Sequence, residues 1–382
     1  MLCLLLEHQE TLSSRVDSAI RNKIINGVRL NTEEGVHLYS DATTEELKEL
    51  ATLIRSRKNQ QKVFFNHNFH LEPTNRCIYD CKFCSYSRAL KDKEESWELS
   101  ADEILEKVKK YDDKPVTEIH IVGGVHPDLG LEFFGDVLSR IRSHRPALHR
   151  KAFTAVEIHY MCKRAKVSYQ DGIKGLIDSG LQSIPGGGAE IFAEEIRAEI
   201  CADKCTSEQW LEIHRIIHEN GLRSNATMLY GHIEKFEHRI DHMNRLRVLQ
   251  DQTQGFQTFI PLKYRNKNNQ MSHIPESLKE EDLRNYAVSR IYLDNIDHIK
   301  AYWPMIGREI ARLSLDYGVD DLDGTIDNTT KIYSMAGAEE ENPTLTTDEL
   351  VRLIHSAGLD AVERGTLYEV IQEYPFIENN RC

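Results

Sequence analysis

The sequence predicts an α/β chain whose strands close into a (β/α)8 TIM-type barrel, with a helical extension before it and a second extension after it. Two observations carry this. Eight short runs rich in β-branched and aromatic residues alternate with longer amphipathic runs, and that alternation implies a parallel sheet. The eight units also follow one another without interruption, which favours closure over an open sheet. The 382 residues suffice for one such barrel with extensions.

Residues 1–60 read as the N-terminal helical extension. Val16, Ile20, Ile24 and Ile25 share a face over 13–25. Thr44 opens a second helix over 44–58 as its N-cap, with Leu47, Leu50, Leu53 and Ile54 at helical spacing. The barrel is assigned to 61–330. Its strands are predicted at 69–74, 118–122, 151–158, 182–184, 223–229, 256–262, 298–303 and 319–322. Its helices are predicted at 102–110, 131–142, 169–179, 207–220, 237–250, 279–294 and 307–317. Residues 331–382 form the C-terminal extension, with a helix over 347–357 and a tail outside the barrel repeat. No low-complexity linker divides the chain, so one domain with terminal extensions is the simplest organisation.

Hydrophobic residues make up 40% of the chain and charged residues 29%, the balance of an ordinary globular protein. Lys plus Arg number 48 against 61 Asp plus Glu, a net charge of -13. Such an acidic chain has no general footprint for nucleic acid or a membrane surface. No apolar run approaches the ~20 residues that span a bilayer. The apolar opening stops at Glu7 and lacks the basic start of a signal peptide. The expectation is a cytoplasmic protein with neither nucleic-acid nor membrane partners.

Three of the eight cysteines sit together: Cys77, Cys81 and Cys84, spaced C-x3-C-x2-C just after the first strand run. Cys3, Cys162, Cys201, Cys205 and Cys382 are dispersed, unlike a secreted disulfide framework. Three soft, anionic thiolates on one loop can hold three irons of a 4Fe–4S cubane and leave the fourth iron open. Strand C-terminal ends are also where barrels of this type keep their chemistry. The alternative is a structural zinc, which needs four protein ligands, usually two separated pairs. A zinc-stabilised scaffold without catalysis is the corresponding functional alternative.

The other strand ends carry the remaining candidates. Gly123 and Gly124, followed by Val125 and His126, close the second run and let a ligand approach the backbone. Glu157 is a polar residue in an apolar run, suited either to a ribose hydroxyl or an amino group, or to a structural ion pair. Pro185-Gly186-Gly187-Gly188 precedes a helix-like run and could take an anion or a flat ring, or serve as a plain connector; no Lys-Ser/Thr follows, so it is not a Walker loop. Tyr230 and His232 close the fifth strand. Lys263 and Arg265 close the sixth and are candidate clamps for a substrate carboxylate. Asp320, Asp321 and Asp323 end the last, either to orient a sugar or to tie the barrel closed.

The cysteine spacing, with aromatic Phe83 before the last Cys, resembles the signature of the radical S-adenosylmethionine superfamily. The runs beginning at Glu72-Pro73-Thr74-Asn75, His120-Ile121-Val122-Gly123, Lys151-Ala152-Phe153-Thr154, Pro185-Gly186-Gly187-Gly188, Asn225-Ala226-Thr227-Met228 and Asp320-Asp321-Leu322-Asp323 resemble the aminodeoxyfutalosine synthases of menaquinone biosynthesis. The resemblance spans about residues 40–370. It departs at Ser85-Tyr86, where many relatives carry Ala-Phe, and at Val125, where a Glu is frequent.

The resemblance implies a 4Fe–4S cluster on Cys77, Cys81 and Cys84, and S-adenosylmethionine against Gly123, Gly124, Glu157, Thr74 and Asn75. Placement at the strand ends, rather than the resemblance, puts His126, Gly187, Gly188, Tyr230, His232, Lys263 and Arg265 on the substrate side. The implied reaction is a transfer that consumes S-adenosylmethionine: its 5′-deoxyadenosyl radical adds to 3-[(1-carboxyvinyl)oxy]benzoate. Rearrangement onto the aromatic ring and loss of the carboxyl group then give 6-amino-6-deoxyfutalosine. A one-electron reductant such as flavodoxin or ferredoxin is the expected partner. Cyclic dehypoxanthine futalosine synthase and the deazaflavin-cofactor synthase are the related alternatives.

Overall fold

The computed structural model describes residues 16–90, 92, 94–327, 329–338 and 343–377. Positions 13–15 of the first predicted helix, the apolar opening, Cys3 and Cys382 lie outside the described residues.

The strands are β1 (Lys62–Asn66), β2 (Asn68–Leu71), β3 (Glu118–Ile121), β4 (His149–Ala152), β5 (Ser183–Ile184), β6 (Arg223–Tyr230), β7 (Phe256–Lys263), β8 (His298–Ala301), β9 (Asp321–Leu322), β10 (Asp360–Arg364) and β11 (Val370–Tyr374). β1 and β2 are two halves of one bent strand parted at His67. β1 pairs in parallel with β9 and β10, and β2 pairs in parallel with β3. From β3 the sheet runs through β4, β5, β6, β7, β8 and β9 back to β1, every pair parallel. Eight strand positions therefore curl into a ring that closes at the bend.

Each of the eight predicted runs contributes a strand, with two shifts. The first strand starts earlier, on the apolar Val63-Phe64-Phe65. The third ends at Ala152, because residues 155–165 form the helix Ala155–Ala165 rather than a continued strand. Thr154 caps that helix: its hydroxyl accepts the Glu157 N–H, and the Glu157 carboxylate reaches back to the Thr154 N–H. The apolar Val156 and Ile158 are its buried face.

Strand side chains alternate between faces. Ile119 and Ile121 of β3, Ala226 and Met228 of β6 and Phe259 of β7 are fully buried on one face. Glu118 and His120, Asn225 and Thr227, and Ile260 and Leu262 face the barrel interior. In the N-terminal helix Thr44–Asn59, Leu47, Leu50 and Ala51 are buried.

The tail contributes two strands that its sequence did not suggest. β10 lies parallel beside β1, and β11 returns antiparallel to it. The chain then enters the end of the barrel where the strands begin. Arg364 reaches Asp321 at 2.6 Å, Thr366 donates to Glu118 at 2.7 Å, and Tyr368 stacks on His298 at 3.7 Å. Among the described residues no helix is long and apolar enough to cross a membrane.

Candidate active site

The loop after β2 carries the three clustered cysteines, and the strand end after β3 holds it in place. The Gly124 N–H donates to the Thr74 carbonyl at 2.7 Å, and the Ile78 N–H to the Val125 carbonyl at 2.9 Å. A Cβ on Gly124 would stand 2.3 Å from the Arg76 carbonyl oxygen, so the two backbones touch as only glycine permits. Thr74 and Asn75 work from behind. The Thr74 hydroxyl donates to the Trp97 carbonyl, and the Asn75 amide brackets residues 95 and 97. Neither residue lines the cavity that the cysteines face.

That cavity, about 250 Å³, opens at the C-terminal ends of the strands. Cys77, Cys81 and Cys84 are half-buried on its rim. The Cys77 sulfur accepts the N–H groups of Tyr79 (3.5 Å) and Val125 (3.4 Å), and the Cys84 sulfur accepts that of Ser87 (3.4 Å). Burial pushes the thiols of Cys77 and Cys81 above the usual range. Thiolates there need a cationic partner, which a metal supplies. Three soft thiolate donors on one loop at the cavity rim are the ligand type that suits an iron–sulfur cluster.

Lys204 stands beside this rim. Its ammonium pairs with Glu190 and lies 5.6 Å from the Phe83 ring centre. Burial pulls its pKa down, but the Glu190 carboxylate leads the groups that outweigh it, and the net shift is upward. Cys201 lies within the electrostatic reach of Cys81 but off the cavity lining.

The walls are backbone-rich. Gly123 and Gly124 form one side, and Gly186, Gly187 and Gly188 another. The next helix, Glu194–Ile200, starts six residues past Gly188, so this loop is not a helix N-terminus and offers an anion no helix dipole. What remains is a flat surface: the Gly188 φ of +84° and its approach to Val156 leave no room for a side chain. Glu157 is off the lining. Its carboxylate takes the Thr154 N–H at 2.7 Å and the Gly123 N–H at 3.3 Å. Burial raises its pKa to about 7.

Five residues assigned to the substrate side do not reach the cavity. Lys263 Nζ is spent on Asp282 (2.7 Å) and the Ser277 carbonyl (2.8 Å). Tyr230 donates to the same Asp282 at 2.9 Å. Arg265 is held by the Gly337 carbonyl (2.8 Å) and Glu276 (3.3 Å). His232 pairs with Glu234 at 3.2 Å, and His126 with Glu98 at 3.2 Å. The cause for the strand residues is parity: Asn225 and Thr227, and Ile260 and Leu262, point inward, so Tyr230 and Lys263 point out. The same rule, applied to β3, β4 and β8, would have found the inward Glu118, His120, Lys151 and Lys300. Tyr333 was missed altogether. It is brought over the cavity by Glu72, whose carboxylate accepts from Thr330 Oγ1 (2.7 Å) and the Lys331 N–H (3.0 Å).

Fold and site together define an α/β-barrel enzyme with a thiolate-bearing mouth, and comparison with known proteins agrees. Residues 71–246 match the Radical SAM superfamily, and residues 253–376 match the CofH/MqnC C-terminal region. The aminodeoxyfutalosine synthase of Thermus thermophilus is 43% identical over 94% of this chain and 97% of its own length. The cyclic dehypoxanthine futalosine synthase of Streptomyces coelicolor is 35% identical over 90% and 86%. In solved structures, methylornithine synthase shares the fold, with a TM-score of 0.71 over 89% of this chain and 96% of its own at 14% identity. The chain belongs to the radical S-adenosylmethionine superfamily, in the family of the aminodeoxyfutalosine synthases. Membership implies a 4Fe–4S cluster and S-adenosylmethionine.

Proposed function

We propose that this enzyme adds the 5′-deoxyadenosyl group of S-adenosylmethionine, as a radical, to the enol-ether double bond of 3-[(1-carboxyvinyl)oxy]benzoate. Rearrangement onto the aromatic ring, in which the new carbon–carbon bond replaces the aryl ether bond, and loss of the carboxyl group then give 6-amino-6-deoxyfutalosine for menaquinone biosynthesis. The carrying observation is the 43% identity over nearly the whole chain to a relative of that name, against 35% to the cyclic dehypoxanthine relative.

When bound, the cluster supplies the electron that splits S-adenosylmethionine into methionine and the 5′-deoxyadenosyl radical. Cys77, Cys81 and Cys84 would hold it, and the N–H groups of Tyr79, Val125 and Ser87 offset the charge on two of the sulfurs. Gly123 and Gly124 present backbone to the methionyl end, and Gly186–Gly188 a flat surface to a ring. Val122, Ile260 and Leu262 exclude water from the space where a primary carbon radical must meet its target. A flavodoxin- or ferredoxin-like donor supplies the electron, and the reducing cytoplasm suits the free thiols.

The test is a substrate choice. The anaerobic, cluster-loaded enzyme is offered the enol-ether benzoate or dehypoxanthine futalosine. The reading expects the first alone to drive consumption of S-adenosylmethionine; turnover with the second alone contradicts it.

A further inference from the structure

The lower half of the cavity is explained by neither the cysteine loop nor the glycine walls. There β3, β4 and β8 turn Glu118, His120, Lys151 and Lys300 inward, and Asp323 joins them from beyond β9. Both lysines are almost wholly buried, at 4% and 3% exposure. Lys151 Nζ donates to Glu118 Oε2 at 2.7 Å. Lys300 Nζ donates to Asp323 Oδ1 at 3.1 Å and lies 3.7 Å from Asp321 Oδ1. Asp321 itself is taken by Arg364 and Tyr368.

An ammonium carries three N–H bonds, so both lysines keep donors to spare. His120 Nε2, both ring nitrogens of His70 and Asp323 Oδ2 are buried without a hydrogen-bond partner among the described residues. Burial also holds both imidazoles below the usual pKa, as neutral rings that keep one N–H each. Buried polar atoms normally find partners. His70 Nε2 lies 3.8 Å from Asp323 Oδ2 and off the cavity lining, so the unspent donors that face the cavity are His120 and the spare N–H bonds of Lys151 and Lys300, which mark a place for an acceptor ligand. Above them Tyr302 and Tyr333, with ring centres 4.5 Å apart, and the side chains of Val122, Ile260 and Leu262 make an apolar slot.

We propose that Lys151, Lys300 and His120 form a carboxylate subsite on the barrel floor, which takes an aromatic acid with its ring in the slot beneath Tyr302 and Tyr333. The inference rests on the function proposed above for the identity of the acid and replaces Lys263 and Arg265 as its clamp.

Calorimetry on the anaerobic, cluster-loaded full chain tests it, with benzoate and benzamide as probes. Charge-assisted hydrogen bonds to the carboxylate should favour benzoate by roughly 10-fold or more. Lys300→Met should bring that ratio close to one while leaving benzamide affinity unchanged. Removing Lys300 alone strands Asp323, so the paired Lys300→Met/Asp323→Asn variant and Lys151→Met are read alongside it. Loss of the benzoate preference in the folded variants supports the subsite. Absence of the preference in the wild type, or its survival in all variants, overturns it. Adduct formation from the enol-ether substrate is scored separately. A wild type that makes no adduct but shows a Lys300-dependent preference refutes the function and keeps the subsite. A wild type that makes adduct, with the preference unmoved in the variants, does the reverse.

Discussion

Gly124→Ala probes how the cysteine loop is held. The added Cβ would stand 2.3 Å from the Arg76 oxygen, 2.8 Å from its carbonyl carbon and 2.9 Å from the Asn75 carbonyl carbon. All three are backbone atoms of the segment leading into Cys77, so no side chain can swing away. Restoring ordinary contact requires the loop to move by about 1 Å, and forcing an extra methyl into packed surroundings costs roughly 1–3 kcal/mol. That movement acts on the Thr74–Gly124 and Ile78–Val125 hydrogen bonds and on the N–H from Val125 to the Cys77 sulfur. A ligand constellation displaced by ~1 Å loses its geometry. The expected result is a fall in iron and sulfide after anaerobic reconstitution and a melting temperature lower by a few degrees. Gly175→Ala is the control. It sits in the helix Tyr169–Ser179 with nothing within 4 Å of the new Cβ, and it should raise stability by up to about 1 kcal/mol. Full iron content in Gly124→Ala, with only S-adenosylmethionine binding weakened, would refute the claim that this glycine seats the loop.

Three further predictions follow from single sites. Cys77→Ala, Cys81→Ala and Cys84→Ala should each abolish the 4Fe–4S electron paramagnetic resonance signal, whereas Cys201→Ala and Cys205→Ala, whose thiols are buried off the cavity, should retain it. Glu157 has a folded pKa raised to about 7 by burial, so its favourable contribution is present below about pH 4.5 and is lost as pH rises through 7. Denaturant titrations should show wild type losing on the order of 3 kcal/mol relative to Glu157→Gln across that window; a constant difference contradicts the buried acid. Arg364→Met should remove the guanidinium from the buried Asp321 carboxylate, leave it to Tyr368 and to Lys300 at 3.7 Å, and cost up to about 3 kcal/mol in unfolding experiments, with part recovered by Asp321→Asn.

The barrel was largely legible in the sequence because eight β-rich runs alternate with helical ones, and each run became a strand. The error at the third strand is instructive. Val156 and Ile158 read as strand by their β-branching, yet Thr154-x-x-Glu157 is a capping box, and that local signal wins. β10 and β11 were not legible because their place depends on a distant edge, that of β1. In the site, the cysteine loop and both glycine walls were recognisable from motifs. The clamp was not. Lys263 lies at a strand end but has the outward parity and closes on Asp282, and Arg265 beyond it is held by Glu276 and the Gly337 carbonyl. Lys151 opens a run that carries the family resemblance without marking its own role, and Lys300 lies in a run with no motif, so only the register of the closed barrel brings the two together.

The fate of the adenosyl group tests the central claim most directly. With S-adenosylmethionine labelled in adenine and ribose, and the enol-ether benzoate as partner, the account predicts one product that carries both the label and the benzoate ring. One methionine and one lost carboxyl group should accompany each turnover, with little free 5′-deoxyadenosine. Stoichiometric 5′-deoxyadenosine and no labelled adduct would contradict radical addition and point to hydrogen abstraction on the same barrel.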